Sequence, residues 1–280
     1  MSAIQATLQE SIKRISLGIE WLDLALQGGV PRGNWLLVTG EPGTGKSVLT
    51  IQATGANINK IPVIYISTET KFTDIIKQAK QFNIDLSNAV NLVDIITGKV
   101  KEGNLVVIDL FGLAKEYREL LKNEETKAKS PLSMDVVMAS IERAYEALGV
   151  SEDGKITTDV LVVLDSVTPM WASAPATSRT QMYQLRQRLY RSNVTVIMTS
   201  QVASTTKETF GFGIEHIADA IIHMWFEPIE STKEIERWLI IKKARLTNHY
   251  RKAIKFEIEH DKGLVLLEPS IEEIRNWIMK

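Results

Sequence analysis

The sequence predicts an α/β fold: a mostly parallel central sheet flanked by helices, with an antiparallel C-terminal extension. Three observations predict it. Short aliphatic runs recur up to Trp225, most without polar alternation, as strands buried on both faces require. Segments of helical periodicity separate these runs, and strands alternating with helices imply parallel pairing through right-handed crossovers. Beyond Trp225 strand-like runs follow one another on short links, which suits antiparallel pairing at one edge of the sheet.

The predicted core strands are Trp35–Thr39, Val63–Ser67, Leu105–Asp109, Val160–Asp165, Val194–Ser200 and Ala220–Trp225. Between them, Phe72, Ile75, Ile76, Ala79 and Phe82 fall on one face of a helix, as do Met134, Val137, Met138, Ile141, Tyr145 and Leu148. The segment Lys115–Lys129 is dense in both charge signs and reads as a solvated helix followed by a loop. The C-terminal strands are Trp238–Ala244, Ala253–His260 and Gly263–Leu267. Ser270 and Glu273 have the spacing of a capping box, so a last helix starts at Ser270.

A chain of 280 residues fits one large α/β domain, and no internal repeat suggests a tandem pair. A net charge of −1 predicts no general pull toward nucleic acid or anionic membrane. The sequence has no cysteine, which excludes disulfides, thiolate-ligated zinc and a thiol nucleophile. Met1–Arg14 lacks the apolar core of a signal peptide, and no apolar run is long enough to span a bilayer. A soluble, cytoplasmic chain is expected.

Gly40-Glu41-Pro42-Gly43-Thr44-Gly45-Lys46-Ser47 matches the phosphate-loop pattern in full, between a predicted strand and a helix beginning near Lys46. Phosphate oxygens need many donors at once. Glycines at 43 and 45 let backbone N–H groups turn inward, and a helix N-terminus adds partial positive charge. The nucleotide-binding set is Glu41, Pro42, Gly43, Thr44, Gly45, Lys46, Ser47 and Val48. Lys46 is expected to reach the β- and γ-phosphates of ATP, and the Ser47 hydroxyl to bind Mg2+.

A second metal-side group is expected at the end of a neighbouring strand. Asp165 closes the apolar run Val160–Leu164 and is preferred over Asp109, which closes a similar run. Glu69 follows the strand Val63–Ser67 directly. There it reads either as a carboxylate facing the γ-phosphate or as an exposed loop residue.

At this point the sequence resembles the RecA superfamily, and most closely its KaiC-like branch, which also contains archaeal RadA paralogues. Arg14–Asp23 followed by Gly28–Gly33 is similar to the family's entry segment, and the likeness runs from Arg14 to Leu267. The resemblance implies a RecA-like P-loop ATPase: residues 1–14 an N-terminal extension, 14–225 the core, and 226–280 C-terminal strands and a helix. It implies that Glu69, within Ser67-Thr68-Glu69, activates water; Thr70 stands where the family often has a second glutamate. Asn83 likewise stands where a glycine is usual. Gln201 resembles the RadA-type glutamine that senses the γ-phosphate.

Lys242–His249 resembles the KaiC segment that reaches a neighbouring subunit's ATP. By that likeness Lys243 and Arg245 contact the γ-phosphate in trans, and Ala244, Thr247 and His249 lie by the adenosine. Leu246 replaces the family's usual glycine. A shared site implies a homo-oligomer, with a hexameric ring expected, or hetero-association with a recombinase. Val167–Ser178 and Ala203–Gly213 would line the ring's centre, the second with Lys207, Phe210 and Phe212. Stacking there makes DNA a possible partner, although cations are few. Arg186, Arg188 and Arg191 read as a solvated helix face. By the resemblance the expected function is that of a RadA paralogue, an ATPase assisting recombinational DNA repair; the alternative is a signalling or assembly ATPase that binds no DNA. Autophosphorylation at Ser204, Thr205 or Thr206 is a third expectation.

Overall fold

The computed structural model describes residues 12–100, 103–120, 133–150, 158–170, 175–202, 214–229 and 234–280. A two-residue pair, β1 (Arg14–Ile15) with β2 (Val30–Pro31), encloses helix α1 (Glu20–Ala25). The central sheet begins with β3 (Trp35–Gly40), β4 (Val63–Ser67), β5 (Val90–Asn91) and β6 (Leu105–Asp109). It continues with β7 (Val160–Asp165), β8 (Val194–Gln201), β9 (Ala220–Ile229), β10 (Glu234–Ala244), β11 (Ile254–Glu259) and β12 (Gly263–Glu268).

Across the sheet these ten strands run β12-β11-β10-β9-β3-β8-β7-β4-β6-β5. Every pairing from β9 through β5 is parallel, and the pairings from β9 to β12 are antiparallel. The C-terminal strands therefore continue the same sheet, hydrogen-bonded onto β9.

The missing polar alternation has its cause here. Leu36 and Val38 of β3, Tyr65 of β4 and Leu161 and Val163 of β7 pack into one core. Their neighbours Trp35, Leu37, Ile64, Ile66, Val160 and Val162 pack into the other. Helices α2 (Lys46–Asn57) and α3 (Phe72–Lys80) cover the first face. Helices α6 (Met134–Ala147) and α7 (Pro175–Leu189) cover the second. Between the two pairs in sequence lie the short helices α4 (Leu92–Ile96) and α5 (Ala114–Leu120). The last helices are α8 (Ile214–Ile217) and α9 (Ile271–Ile278). Among the described residues, no helix is long and apolar enough to cross a membrane.

Boundaries differ from expectation where a local device intervenes. Helix α3 ends at Lys80, two residues before Phe82, because Asn83 turns into the left-handed region at φ 58°. Asparagine tolerates that conformation and commonly ends helices in this way. Phe82, two residues past the helix, still packs against the same core as Phe72, Ile75 and Ala79. At α9 half of the expected capping box forms. Ser270 Oγ accepts from the Glu273 amide at 3.2 Å, while the Glu273 carboxylate instead accepts from Tyr250 and Lys252. Strands β8, β9 and β10 extend beyond their apolar runs because sheet hydrogen bonds continue past the buried residues. Of the charged segment 115–129, residues 115–120 lie in α5; the remainder lies outside the described residues.

Candidate active site

The phosphate loop joins β3 to α2 at the centre of the sheet, where β3 lies between β8 and β9. Gly43 and Gly45 adopt φ of 82° and 106°, conformations that admit a side chain only with strain. A Cβ on Gly45 would also stand 2.9 Å from Ile258 Cδ1, so the Ile258 side chain of β11 packs closely over the loop at this glycine. The bare helix N-terminus has no side-chain cap. Lys46 folds back over the loop, its Nζ donating to the carbonyls of Gly40 (2.9 Å) and Glu41 (2.8 Å). Burial pushes its ammonium down to about 8, against the opposing pull of Asp165, Glu69 and Glu41.

Beside the loop opens a cleft of about 560 Å3. Pro42, Gly43, Gly45, Lys46, Ser47 and Val48 form one wall; Glu69, Asp165, Ser166, Thr199 and Gln201 form another. Parallel strands create this convergence. Ser67 of β4 pairs with Asp165 of β7, and Gly40 of β3 pairs with Gln201 of β8, so the strand ends meet at one edge. That edge is where ligands bind in open α/β sheets.

Asp165 and Asp109 part company here. Asp165 accepts from Thr199 Oγ1 at 2.6 Å and from Tyr65 Oη at 2.9 Å. Burial, reinforced by Asp165, pushes the Tyr65 phenol well above its usual range, so it remains a donor. The peptide between Asp165 and Ser166 is cis. Asp109 is occupied otherwise: its oxygens accept from the amides of Phe72 (3.0 Å) and Gly112 (2.6 Å), and it does not line the cleft. Ser47 and Asp165 bring hard oxygens to the same cleft, the donor type magnesium takes. Glu69 accepts from Gln201 Nε2 at 3.0 and 3.2 Å and from the Ser166 hydroxyl. This carboxylate is held by two side chains at the cleft wall, unlike a free loop glutamate.

The far segment sits elsewhere. Ala244 pairs with Ala220, and Ala220 with Leu36 near the start of β3, whereas Gly40 at its end pairs with Met224. The four residues from Ala220 to Met224 correspond to about 13 Å along a strand. Lys243, Ala244, Arg245, Thr247 and His249 thus occupy the edge opposite the phosphate loop of their own chain. Lys243 Nζ donates to the carbonyls of Ala218 and Glu215, and Arg245 pairs with Asp219 at 3.3 Å. Thr247 Oγ1 donates to the Leu26 carbonyl at 3.0 Å, and the His249 carbonyl accepts from Trp277. Burial lowers the His249 imidazole below its usual range. Leu246 takes φ 59°, so the chain follows a glycine-like path without glycine.

The three arginines of the α7 region are engaged within the fold. Arg186 pairs with Asp219, Arg188 grips Glu142 with two nitrogens, and Arg191 donates to the carbonyls of Arg188 and Tyr190. Of the loops expected at a ring centre, 171–174 and 203–213 lie outside the described residues, with Ser204, Thr205, Thr206, Lys207, Phe210 and Phe212.

Several lining residues escaped the sequence: Gln78, Gln81, Phe82, Thr199, Ile258 and His260. Phe82 packs against the core as its helical spacing predicts, and it lines the cleft as well. Ile258 and His260 are more than 200 positions from the loop they adjoin, and only the antiparallel extension brings them there. The one available signal was the pair of glycines at 43 and 45, which marks a loop closely approached by something.

With this geometry in place, the comparisons add the kinship. A family model described as an ATPase, KaiC, matches residues 15–271. A UPF0273 protein of Thermotoga maritima is 32% identical, covering 91% of this chain and 96% of its own length. One from Methanopyrus kandleri is 29% identical, covering 91% and 92%. A crystal structure of a KaiC-like protein from Pyrococcus horikoshii OT3 matches with a TM-score of 0.66 at 22% identity, over 92% of this chain and 100% of that one. That last likeness is one of fold.

Proposed function

The chain belongs to the KaiC ATPase family, and from that premise we propose that it is a magnesium-dependent ATPase whose catalytic site is completed by a neighbouring subunit in a ring. The observation that carries this reading is the separation of two half-sites. Loop, Glu69, Asp165 and Gln201 share one sheet edge, and the Lys243–His249 segment lies at the other. A head-to-tail neighbour would bring the second edge of one copy to the first edge of the next.

In this reading the amides at 43–47 and the Lys46 ammonium hold the triphosphate. Ser47 and Asp165 would hold magnesium, which would supply positive charge against the phosphates. Glu69 takes a proton from the water that attacks the γ-phosphorus as the bond to the bridging oxygen breaks, leaving ADP and phosphate. Gln201 donates to the γ-phosphate, and the neighbour's Lys243 and Arg245 stabilise the charge on the transferring group. We assign residues 14–225 to the core and 226–280 to the extension of a single catalytic unit.

Subunit mixing tests the shared site. Lys46→Ala disables the phosphate loop and Arg245→Ala the opposite edge, so each alone turns over slowly. In a random equal mixture about a quarter of head-to-tail interfaces pair an intact loop with an intact Arg245, restoring turnover in proportion. Silence in mixed rings verified by native mass would remove the shared-site reading.

The engagement of Arg186, Arg188 and Arg191 favours nucleotide-driven assembly or partner docking as the work done, since strong DNA binding recruits several free cations. The second reading is a RadA-like role in DNA repair beside a recombinase. A salt-dependent rise in ATPase rate with single-stranded DNA would favour it.

A further inference from the structure

One carboxylate lies directly behind the two cations offered to the neighbour. Asp219 connects α8 to β9 and is 5% exposed. One of its oxygens accepts from the Trp35 amide (2.9 Å) and from Arg186 (2.8 Å). The other accepts from Arg245 at 3.3 Å. Its backbone carbonyl takes the Arg245 amide at 2.9 Å, and its own amide donates to the Trp35 carbonyl at 2.8 Å. From the far side, Asn34 Nδ2 donates to the Arg245 carbonyl at 3.2 Å. Arg186 is itself fixed, donating to the Ile217 carbonyl at 2.7 Å with its guanidinium 5.0 Å from the centre of the Trp35 ring.

Lys243 reaches the same place by a backbone irregularity. The β9–β10 register shifts between Ile241 and Lys243, leaving Lys242 as an extra residue. Such a bulge re-aims the side chain that follows it. Lys243 Nζ consequently donates to the carbonyls of Ala218 and Glu215, next to Asp219. Burial lowers the Lys243 pKa, Arg245 and Arg186 lower it further, and Asp219 opposes them. Two guanidiniums therefore pair with one buried carboxylate, and the Lys243 ammonium is anchored on the carbonyl of the residue just before Asp219. Asp219 thus tethers Arg245 beside the anchored Lys243 while the Arg245 side chain remains 59% exposed.

We propose that Asp219 is the positioning residue of the shared site: its carboxylate, braced by Arg186 and the Trp35 amide, holds Arg245 beside the carbonyl-anchored Lys243 so that the two meet a neighbour's γ-phosphate together. The inference rests on the shared-site reading and assigns Asp219 no contact with nucleotide.

The test is Asp219→Asn, which keeps the size and an acceptor for the Trp35 amide but removes the charge. Nucleotide affinity, measured with a fluorescent ATP analogue, should change far less than turnover, because the amides at 43–47 and the Lys46 ammonium that hold the triphosphate are untouched. Turnover should fall about tenfold or more, the scale on which small misplacements act. Mixed with Lys46→Ala, the variant should regain activity; mixed with Arg245→Ala, it should not. Asn34→Ala, which frees the Arg245 carbonyl but leaves the charges, should fall in the same complementation group with a smaller loss. It carries the test if Asp219→Asn melts at the assay temperature. Full turnover in the variants would overturn the inference. So would failure to complement Lys46→Ala while Arg245→Ala succeeds, and that result would leave the shared site standing. If Arg245→Ala also fails to complement, the shared site falls and this inference with it.

Discussion

Replacing Leu246 with glycine should stabilise this protein, an unusual direction for deleting a large apolar side chain. Leu246 follows Arg245 and holds φ 59°. A left-handed backbone costs a residue with a side chain roughly 1–2 kcal/mol. Glycine removes that cost but loses about 0.4–1 kcal/mol through its freer unfolded chain. Deleting the side chain sacrifices little burial, since Leu246 is 68% exposed. The net expectation is a gain of about 0.5–1 kcal/mol, from the difference of those two effects. For a chain of this size that raises the melting temperature by about 1–4 °C. Scanning calorimetry on the nucleotide-free protein reads it directly. Asn83→Gly is the internal control: Asn83 has nearly the same φ, 58°, but asparagine bears the conformation with less strain, so its gain should be smaller. A lower melting temperature for Leu246→Gly would refute the reasoning, because it would mean that the side chain contributes more than its backbone costs.

Glu69→Gln should bind ATP with near-normal affinity yet lose at least about a hundredfold in turnover, the usual scale for a general base; unchanged single-turnover rates would remove Glu69 from the chemistry. Asp165→Asn and Asp109→Asn should separate by phenotype: the first weakens the magnesium dependence of nucleotide binding, and the second lowers thermal stability by replacing the acceptor of one of the Phe72 and Gly112 amides with an NH2 donor. The reverse pattern would exchange their roles. Asp159 supplies a pH test. Burial alone would raise its carboxyl, but contacts with Lys13 and Arg32 outweigh burial and hold it below the usual range. A depressed folded-state pKa stabilises above the unfolded value of about 3.9, and the effect fades as pH falls through the folded value. Asp159→Asn should therefore be less stable than wild type at pH 7, with the deficit shrinking in acid; a deficit constant from pH 7 to pH 2 would exclude this ion-pair contribution.

Much of the fold was legible because burial on two faces leaves a direct mark. Val160–Leu164 reads as a strand without context, since every side chain in it enters one core or the other. The phosphate loop was legible for a similar reason: its chemistry lies in contiguous residues, and the glycines are needed by local backbone geometry. The choice between Asp165 and Asp109 was less secure, because both end apolar strands. What separates them is the company each keeps. Thr199 and Tyr65 orient Asp165 toward the cleft, and two amides consume Asp109.

By itself, then, the sequence determined the parallel core, the loop at 40–47 and the residue types available for catalysis, because these depend on neighbours in the chain. Only the tertiary structure decided that Phe82, Ile258 and His260 line the cleft and that the Lys243–His249 segment stands at the opposite edge. It also decided that Asp219 pairs with both Arg186 and Arg245. Those outcomes depend on strand order, on the direction of β10 and on a one-residue bulge, and they join positions more than 200 residues apart whose local patterns carry no record of each other.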